Sequence, residues 1–303
     1  MTRYVGGIDA GGTTFKCGLA RLGSGRDVAW VARRRIPTSG PQDTVERCVG
    51  FFRDALSEVG ATARDMAGLG LASFGPLNLD AGSDDFGSLL DTTKPGWSGF
   101  PIRRAFADAL GVPVAIDTDV NAALLAEKSD GAAKGAANAA YITVGTGIGA
   151  GFAAGAHILG RPEHPEFGHV PVARAQGDGD FAGVCPFHAT CLEGMASVTA
   201  LKARFGDPMG WGPDHRGWDI AADYLAQACR TAFLTTRADR IVLGGGLMLS
   251  PHILPRIRQR FVEQIAGYLG VTEQDAQSII VTPELGDDAG LHGAIRLVAD
   301  SAL

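Results

Sequence analysis

Three glycine clusters, each following a short apolar run of strand length, set narrow limits on the fold of this chain. The clusters lie at 11–12, 145–151 and 244–246, in a chain with 43 glycines. Consecutive glycines allow turns in which backbone N–H groups approach a ligand without obstruction by side chains. The clusters therefore predict backbone held close to a ligand at strand ends, and not flexible glycine linkers.

The first two clusters each lie between two predicted strands and have the composition of phosphate-binding hairpins. The first has the sequence DAGGTT at 9–14, where the carboxylate of Asp9 is suited to hold Mg²⁺. The second, TVGTGIGAG at 143–151, has glycine at every second position from 145 to 151, together with Thr143 and Thr146. It is not a P-loop, since no Gly-Lys-Ser/Thr follows, and not a Rossmann turn, since a strand follows it. An ordinary β-turn and a structural hairpin are the respective alternatives.

The third cluster lies between a predicted strand at 240–244 and a predicted helix capped by Ser250. Its bare backbone would allow a nucleobase or ribose to lie flat against it, and a plain strand-to-helix turn is the alternative. Together the three turns predict a nucleotide site formed by Asp9, Gly11, Gly12, Thr13, Thr143, Gly145, Thr146, Gly147, Gly149, Gly244, Gly245 and Gly246.

The rest of the chain alternates predicted strands and helices in two α/β lobes. Apolar residues spaced by 3.6 positions predict an amphipathic helix over 43–59, with Asp43 and Glu46 as its capping box. The first lobe is expected to cover residues 1–117 and to be completed by a C-terminal helix within 287–303. The second covers 118–286 and contains a loop-rich insert at about 160–191.

Charge and cysteine content exclude several classes of protein. The formal net charge is −6, and Arg33 to Arg35 form the only basic run, so nucleic acid is not the expected partner. Five cysteines in a chain of 303 residues do not suggest a secreted disulfide framework. No run approaches the roughly 18 apolar residues of a membrane span, and no signal peptide is recognisable. We expect a cytoplasmic protein without membrane contact.

Two cysteines and two histidines in the insert have the spacing of a zinc site. His169, Cys185, His188 and Cys191 follow the pattern H-x15-C-x2-H-x2-C. Two thiolates and two imidazoles form a closed tetrahedral Zn²⁺ set, which predicts a structural metal. Residues 173–184 contain few apolar side chains, so this segment is expected to need the metal for order. Buried cysteines with incidental histidines are the alternative, and no basic helix follows that would indicate a nucleic-acid zinc finger.

Eight segments match a known family in order and over nearly the whole chain. They are GGIDAGGTTFKCGLA, LASFGPLNLD, TTKPGW, DTDVNAALLAE, YITVGTGIGAG, HPEFGHV, CPFHATCLEGMAS and IVLGGG. In these segments the chain resembles the ROK family of sugar kinases and repressors, and within it the bacterial fructokinase-like branch. The resemblance implies a two-lobed actin-like (ribonuclease H-like) fold, Mg·ATP as phosphoryl donor and a hexose as acceptor.

The resemblance also implies roles for individual residues. From the residues alone, Asp119 is either a helix N-cap or a catalytic carboxylate; the family's Asp-x-Asn-Ala-Ala motif implies that it is the general base. The sugar ligands implied are Asn121, Glu166, His169 and Glu193, with His169 also binding zinc. Many relatives have Asn before the catalytic aspartate, whereas this chain has Thr118.

The activity expected from the resemblance is phosphorylation of fructose by a homodimer. Glucose, mannose or an N-acetylhexosamine are alternative acceptors, and a sugar-sensing repressor or a zinc-stabilised interaction module are alternative functions. A repressor would need an N-terminal helix-turn-helix, whereas here the first phosphate turn begins at residue 9. Relatives often have lysine where this chain has Thr14, and Lys16, on the same strand face, is expected to substitute in part.

Overall fold

A computed structural model describes residues 4–23 and 28–299 and divides the chain into two compact α/β units. The first unit contains Met1–Ala126, Gly160–His164 and Asp288–Leu303, and the second contains Glu127–Leu159 and Pro165–Asp287. The boundary therefore falls inside one helix, and a short segment and the C-terminal helix belong to the first unit. Among the described residues, no helix has both the length and the apolarity that crossing a bilayer requires.

The first unit is built on a mixed five-stranded sheet. Its strands are β1 (Tyr4–Ala10), β2 (Thr14–Leu22), β3 (Val28–Pro37), β4 (Met66–Ser73) and β5 (Val114–Thr118), and its helices are α1 (Pro41–Glu58), α2 (Ile102–Leu110), the first part of α3 (Asp119–Asp130) and α9 (Ala289–Ala299). The strand order is β3-β2-β1-β4-β5. β1 to β3 form an antiparallel meander, while β4 and β5 lie parallel to β1.

Alternating side chains of this sheet form separate cores on its two faces. Ile8 packs with residues of α1 and α2, and Val5, on the opposite face, packs with α9. Helix α9 lies so close to the sheet that a Cβ on Gly70 would be 1.6 Å from the Ala294 carbonyl oxygen. Glycine at position 70 is therefore required for the close approach of the C-terminal helix.

The second unit repeats this arrangement with a second mixed sheet. Its strands are β6 (Asn138–Val144), β7 (Ile148–Ala154), β8 (His157–Ile158), β9 (Arg240–Gly244) and β10 (Ile280–Val281), and its helices include α4 (Leu192–Ala196), α5 (Val198–Phe205), α6 (Gly217–Thr236), α7 (Ile253–Ile265) and α8 (Glu273–Ile279). The order is β10-β9-β6-β7-β8, with β6 and β7 antiparallel and β9 parallel to β6. Each sheet thus begins with a hairpin whose turn contains a predicted phosphate-binding glycine cluster.

Several local expectations are wrong in detail. Helix α1 begins at Pro41 with Gly40 as N-cap, so the capping box of Asp43 and Glu46 does not form. The carboxylate of Asp43 instead accepts a hydrogen bond from the Ser39 hydroxyl. Residues 192–205 form two short helices and not one continuous helix, because Ser197 leaves helical geometry and caps α5 through Ala200. Helix α8 was not expected, although Thr272 and Asp275 form a capping box at its start.

The insert also differs from expectation, because protein contacts hold the segment that was expected to need a metal. Asp178 is buried and forms an ion pair of 2.5 Å with Arg204, whose side chain is 5 % exposed. The hydroxyl of Tyr224 donates a hydrogen bond of 2.6 Å to Asp178 and accepts one of 3.1 Å from the backbone of Ala175. A buried ion pair that is fully hydrogen-bonded can fix a loop with few apolar residues. We name residues 185–191, which lie outside this anchored part, the metal loop.

Candidate functional site

Asp119 is the first residue of α3 and directly follows β5, so the end of a buried strand fixes its position. The side chain is partly buried, and its Oδ1 accepts a hydrogen bond of 2.8 Å from the Val120 N–H. The pKa of Asp119 is raised from 3.8 to about 7, mainly by burial and also by the Asp9 carboxylate, while hydrogen bonds from the backbone and the charge of His164 lower it. A carboxyl group with a pKa near neutrality has the acidity of a general base.

The carboxylate of Asp117, two residues earlier, is held by hydrogen bonds and an ion pair within the first unit. It is buried and accepts hydrogen bonds from the Thr118 N–H at 2.7 Å and the Asn121 Nδ2 at 2.7 Å. The guanidinium of Arg161, from the short segment that belongs to the first unit, pairs with its other oxygen. Asn121, a predicted sugar ligand, is itself buried, and its Oδ1 has no partner among the described residues. Its amide N–H therefore holds Asp117, while its carbonyl oxygen is unsatisfied.

The first glycine turn combines free N–H groups with a carboxylate. The N–H of Gly11 closes the turn on the Thr14 carbonyl at 3.0 Å, while no acceptor for the N–H groups of Gly12 and Thr13 exists in the described part of the chain. Asp9 is the next-to-last residue of β1 and forms an ion pair of 3.3 Å with Lys16, its neighbour across the hairpin. The turn thus offers backbone donors to an anion, and a carboxylate that fits a hard cation such as Mg²⁺.

The second glycine turn, between β6 and β7, has a similar arrangement. It closes through the Gly145 N–H and the Gly147 carbonyl at 2.9 Å, and the Val198 N–H at the start of α5 donates to the Gly145 carbonyl at 2.8 Å. The N–H groups of Thr146 and Gly147 have no acceptor within the residues that the structure describes. Thr143 and Gly149 face each other on the two strands next to this turn. The backbone of the hairpin is therefore fixed while its tip can receive an anion.

Glu193, a predicted sugar ligand, contacts this second turn. Its Oε2 accepts a hydrogen bond of 2.9 Å from the Ile148 N–H, and a Cβ on Gly147 would lie 2.5 Å from the same oxygen. Glu193 lies in α4, two residues after Cys191. A carboxylate therefore connects the end of the metal loop to the phosphate hairpin, which sequence spacing did not indicate. Glu166, the other predicted sugar ligand in this unit, is exposed, and its carbonyl accepts from the His169 N–H at 3.0 Å.

In the third cluster, close contacts with neighbouring residues account for the first two of the three glycines. A Cβ on Gly244 would lie 2.1 Å from the hydroxyl of Tyr141, and Gly245 has a φ of +90° and lies against the backbone of Val144. At Gly246, a Cβ would meet nothing within 4 Å. Gly246 is exposed, so of these three glycines it leaves the most space for a ligand.

The four predicted zinc ligands lie together in the second unit. The ligand atoms of His169, Cys185, His188 and Cys191 are all within 4.8 Å of one another. The Nδ1 of His169 is 3.6 Å from both sulfur atoms, and the Nδ1 of His188 is 3.9 Å from the Cys185 Sγ. Ligands about 2.0–2.3 Å from a tetrahedral zinc ion are separated by about 3.5 Å, so both the spacing and the donor set fit zinc.

Comparison with known proteins places these features in one family. The ROK family model matches residues 5–301. A fructokinase from Zymomonas mobilis is 40 % identical over 298 residues, covering 97 % of this chain and 96 % of the relative. A putative fructokinase from Bacillus subtilis is 35 % identical over 296 residues, with coverages of 97 % and 94 %. The crystal structure of a ROK hexokinase from Thermus thermophilus matches with a TM-score of 0.75 at 26 % identity, covering 99 % of both chains.

Proposed function

The chain belongs to the ROK family, and on this premise we propose that it is an ATP-dependent hexose kinase whose preferred acceptor is fructose. The observation that carries the proposal is the 40 % identity to a fructokinase over 97 % of the chain. The geometry of each unit supports it, because the first has a carboxyl group of raised pKa and both have a glycine turn with unbonded N–H groups. These are the parts that phosphoryl transfer to an alcohol requires.

Asp119 acts as the general base. In its ionised form the carboxylate accepts the proton of a sugar hydroxyl while the hydroxyl oxygen forms a bond to the γ-phosphorus of ATP. The bond between that phosphorus and the bridging oxygen breaks, so the products are a sugar phosphate, ADP and one proton. Because the pKa of Asp119 is about 7, the base is about half ionised at neutral pH in the free enzyme.

The glycine turns bind the phosphates of ATP. Their unbonded N–H groups at Gly12, Thr13, Thr146 and Gly147 donate to phosphate oxygens. Mg²⁺, held directly or through water by Asp9, would neutralise charge on the β- and γ-phosphates when bound. The Gly244 to Gly246 turn receives the nucleoside, with Gly246 as the point of contact because it is exposed.

The second unit provides sugar ligands next to a structural zinc ion. His169, Cys185, His188 and Cys191 would hold the ion, whose four protein ligands leave no open position for catalysis. Glu166, His169 and Glu193 contact sugar hydroxyls, and the metal fixes their positions because they are ligands or near neighbours of ligands. In the first unit, the unsatisfied Oδ1 of Asn121 is the atom available to a sugar hydroxyl.

The test is ADP release from Mg·ATP with fructose, mannose, glucose, N-acetylglucosamine or N-acetylmannosamine. We expect turnover with fructose, reduced about 10²–10⁴-fold in Asp119→Asn and unchanged in Asp91→Asn, which replaces an exposed aspartate. Preference for another hexose would retain the mechanism and change the acceptor. Absence of turnover with every sugar, from folded protein, would refute the kinase. Sedimentation analysis tests the accompanying proposal that the enzyme is a homodimer.

A further inference from the structure

Lys94, in the loop between β4 and α2, lies against the first glycine turn. A Cβ built on Gly12 would be 2.8 Å from the Lys94 Cε and 3.5 Å from its Nζ. The side chain is partly buried, and its ammonium forms no ion pair or hydrogen bond with any residue that the structure describes. An unpaired cation thus lies beside a turn that is itself rich in donors.

The loop that carries Lys94 is held in place by an aromatic anchor. Trp97 is 1 % exposed, its ring centroid lies 5.6 Å from that of Phe15 in β2, and its Nε1 donates to the Ser39 carbonyl at 2.9 Å. The Trp97 N–H in turn donates to the Lys94 carbonyl at 3.1 Å. Because Phe15 follows the glycine turn directly in β2, the backbone of Lys94 is fixed relative to Gly12 before any ligand binds.

The other lysine near this turn already forms an ion pair within the hairpin. Lys16 forms an ion pair of 3.3 Å with Asp9, which lies opposite it in the hairpin. Position 14, the first residue of β2, is threonine, so the turn has no cation of its own there. Within the described part of the chain, Lys94 is therefore a cation available to a phosphate that lies over Gly12.

We propose that Lys94 binds the γ-phosphate of ATP over the Gly12 turn and is its counter-charge during transfer. This inference rests on the proposed kinase function. The γ-phosphate is assigned because β1 and β5 end at the same edge of the sheet: Ala10 pairs with Ser73 of β4, and Ser73 pairs with Thr118. The turn that follows β1 therefore lies at the same edge as Asp119, which follows β5 and is the proposed base. Two backbone N–H groups and one ammonium would then contact the phosphoryl group.

The test compares nucleotides that differ in the γ-phosphate. Calorimetry on the full-length protein would measure binding of Mg·AMPPNP and Mg·ADP to wild type, Lys94→Met and the exposed control Lys134→Met. We expect Lys94→Met to weaken AMPPNP about 10–100-fold and ADP less than about threefold, which is the range for a charged hydrogen bond. Lys94→Arg should recover part of the loss, and Lys134→Met should bind both nucleotides as wild type does. Equal loss for both nucleotides, or no loss, would overturn the proposal.

A second variant moves the ammonium without removing it. Gly12→Ala introduces a Cβ where Lys94 lies, and position 12 has no positive φ that would itself oppose alanine. If Gly12→Ala acts partly by displacing Lys94, it should weaken AMPPNP binding by a smaller factor in Lys94→Met than in wild type. We expect the two factors to differ at least threefold. Independent, additive losses would contradict the placement of the ammonium over this turn.

These outcomes separate the inference from the kinase proposal. Wild-type protein that binds AMPPNP more tightly than ADP but transfers phosphate to no sugar would refute the kinase, and the Lys94→Met comparison would still decide the role of Lys94. Wild-type protein that binds neither nucleotide would overturn both. Thermal unfolding of each variant establishes that a loss of binding does not arise from a loss of folding.

Discussion

Replacing Asp119 with asparagine should make the protein more stable while it removes the proposed base. The pKa of Asp119 is raised from 3.8 to about 7, mainly by burial. The folded protein therefore binds more protons than the unfolded chain between pH 4 and 7, and ionisation of Asp119 destabilises the fold. The destabilisation is absent below about pH 4, grows as the pH rises through this window, and is complete above about pH 7.

The magnitude follows from the separation between the two pKa values. A separation of about 3 pH units, at about 1.4 kcal/mol per unit, corresponds to at most about 4 kcal/mol above pH 7. Solvent access to the partly buried carboxyl lowers this figure, so we expect about 2–4 kcal/mol. Asparagine has nearly the same shape and still offers an oxygen to the Val120 N–H, so the variant changes charge and little else.

Denaturant unfolding from pH 4 to 9, without nucleotide or Mg²⁺, measures this difference. The free energy of unfolding of Asp119→Asn should match wild type near pH 4 and exceed it by about 2–4 kcal/mol at pH 8. Asp91→Asn, at an exposed position, should show no such pH-dependent gain. A variant that is equally or less stable than wild type at pH 8 would refute the inference that Asp119 is a buried, strained carboxylate.

Three further predictions concern the scaffold. Chelation of the proposed zinc ion should increase hydrogen exchange in the metal loop and leave the segment around Asp178 protected; an equal increase in exchange throughout the insert would contradict this. Glu193→Ala should raise the KM for ATP about 5–10-fold without loss of bound metal, because it leaves a hairpin N–H unpaired; steady-state kinetics with metal analysis checks both. Gly70→Ala should destabilise the protein by about 2–4 kcal/mol in thermal unfolding, because its Cβ would overlap the Ala294 carbonyl, whereas Gly50→Ala, which meets nothing within 4 Å, should not.

Structural features that depend on residues close together in the sequence were predictable from it. The hairpins of β1–β2 and β6–β7 follow from strand-length apolar runs that flank glycine turns, and the structure forms both. The histidine and cysteine cluster was also predictable, since three of the ligands lie within seven residues. Spacing of this kind limits the separation of the side chains before any tertiary contact is known.

Contacts that depend on packing between distant segments were not predictable. Arg204 and Asp178 form a buried pair, but in the sequence they are ordinary charged residues of a helix and a loop. The segment around Asp178 was therefore expected to need a metal, since its low apolar content was the only information available. The start of α1 was predicted incorrectly for a related reason, because the Asp43 carboxylate accepts a hydrogen bond from the Ser39 hydroxyl and does not cap the helix.

Lys16 shows that the alternation of side chains along a strand can place a charged residue without identifying the residue with which it pairs. Side chains alternate along a strand, so the sequence places Lys16 on the same face as Thr14 and near the phosphate turn. The hairpin register, however, puts Asp9 directly across from Lys16, and the nearer carboxylate pairs with its ammonium. A phosphate at this turn then needs a cation from elsewhere in the chain. Lys94 lies 82 positions along the chain from Gly12, and the packing of Trp97 against β2 helps to hold it there.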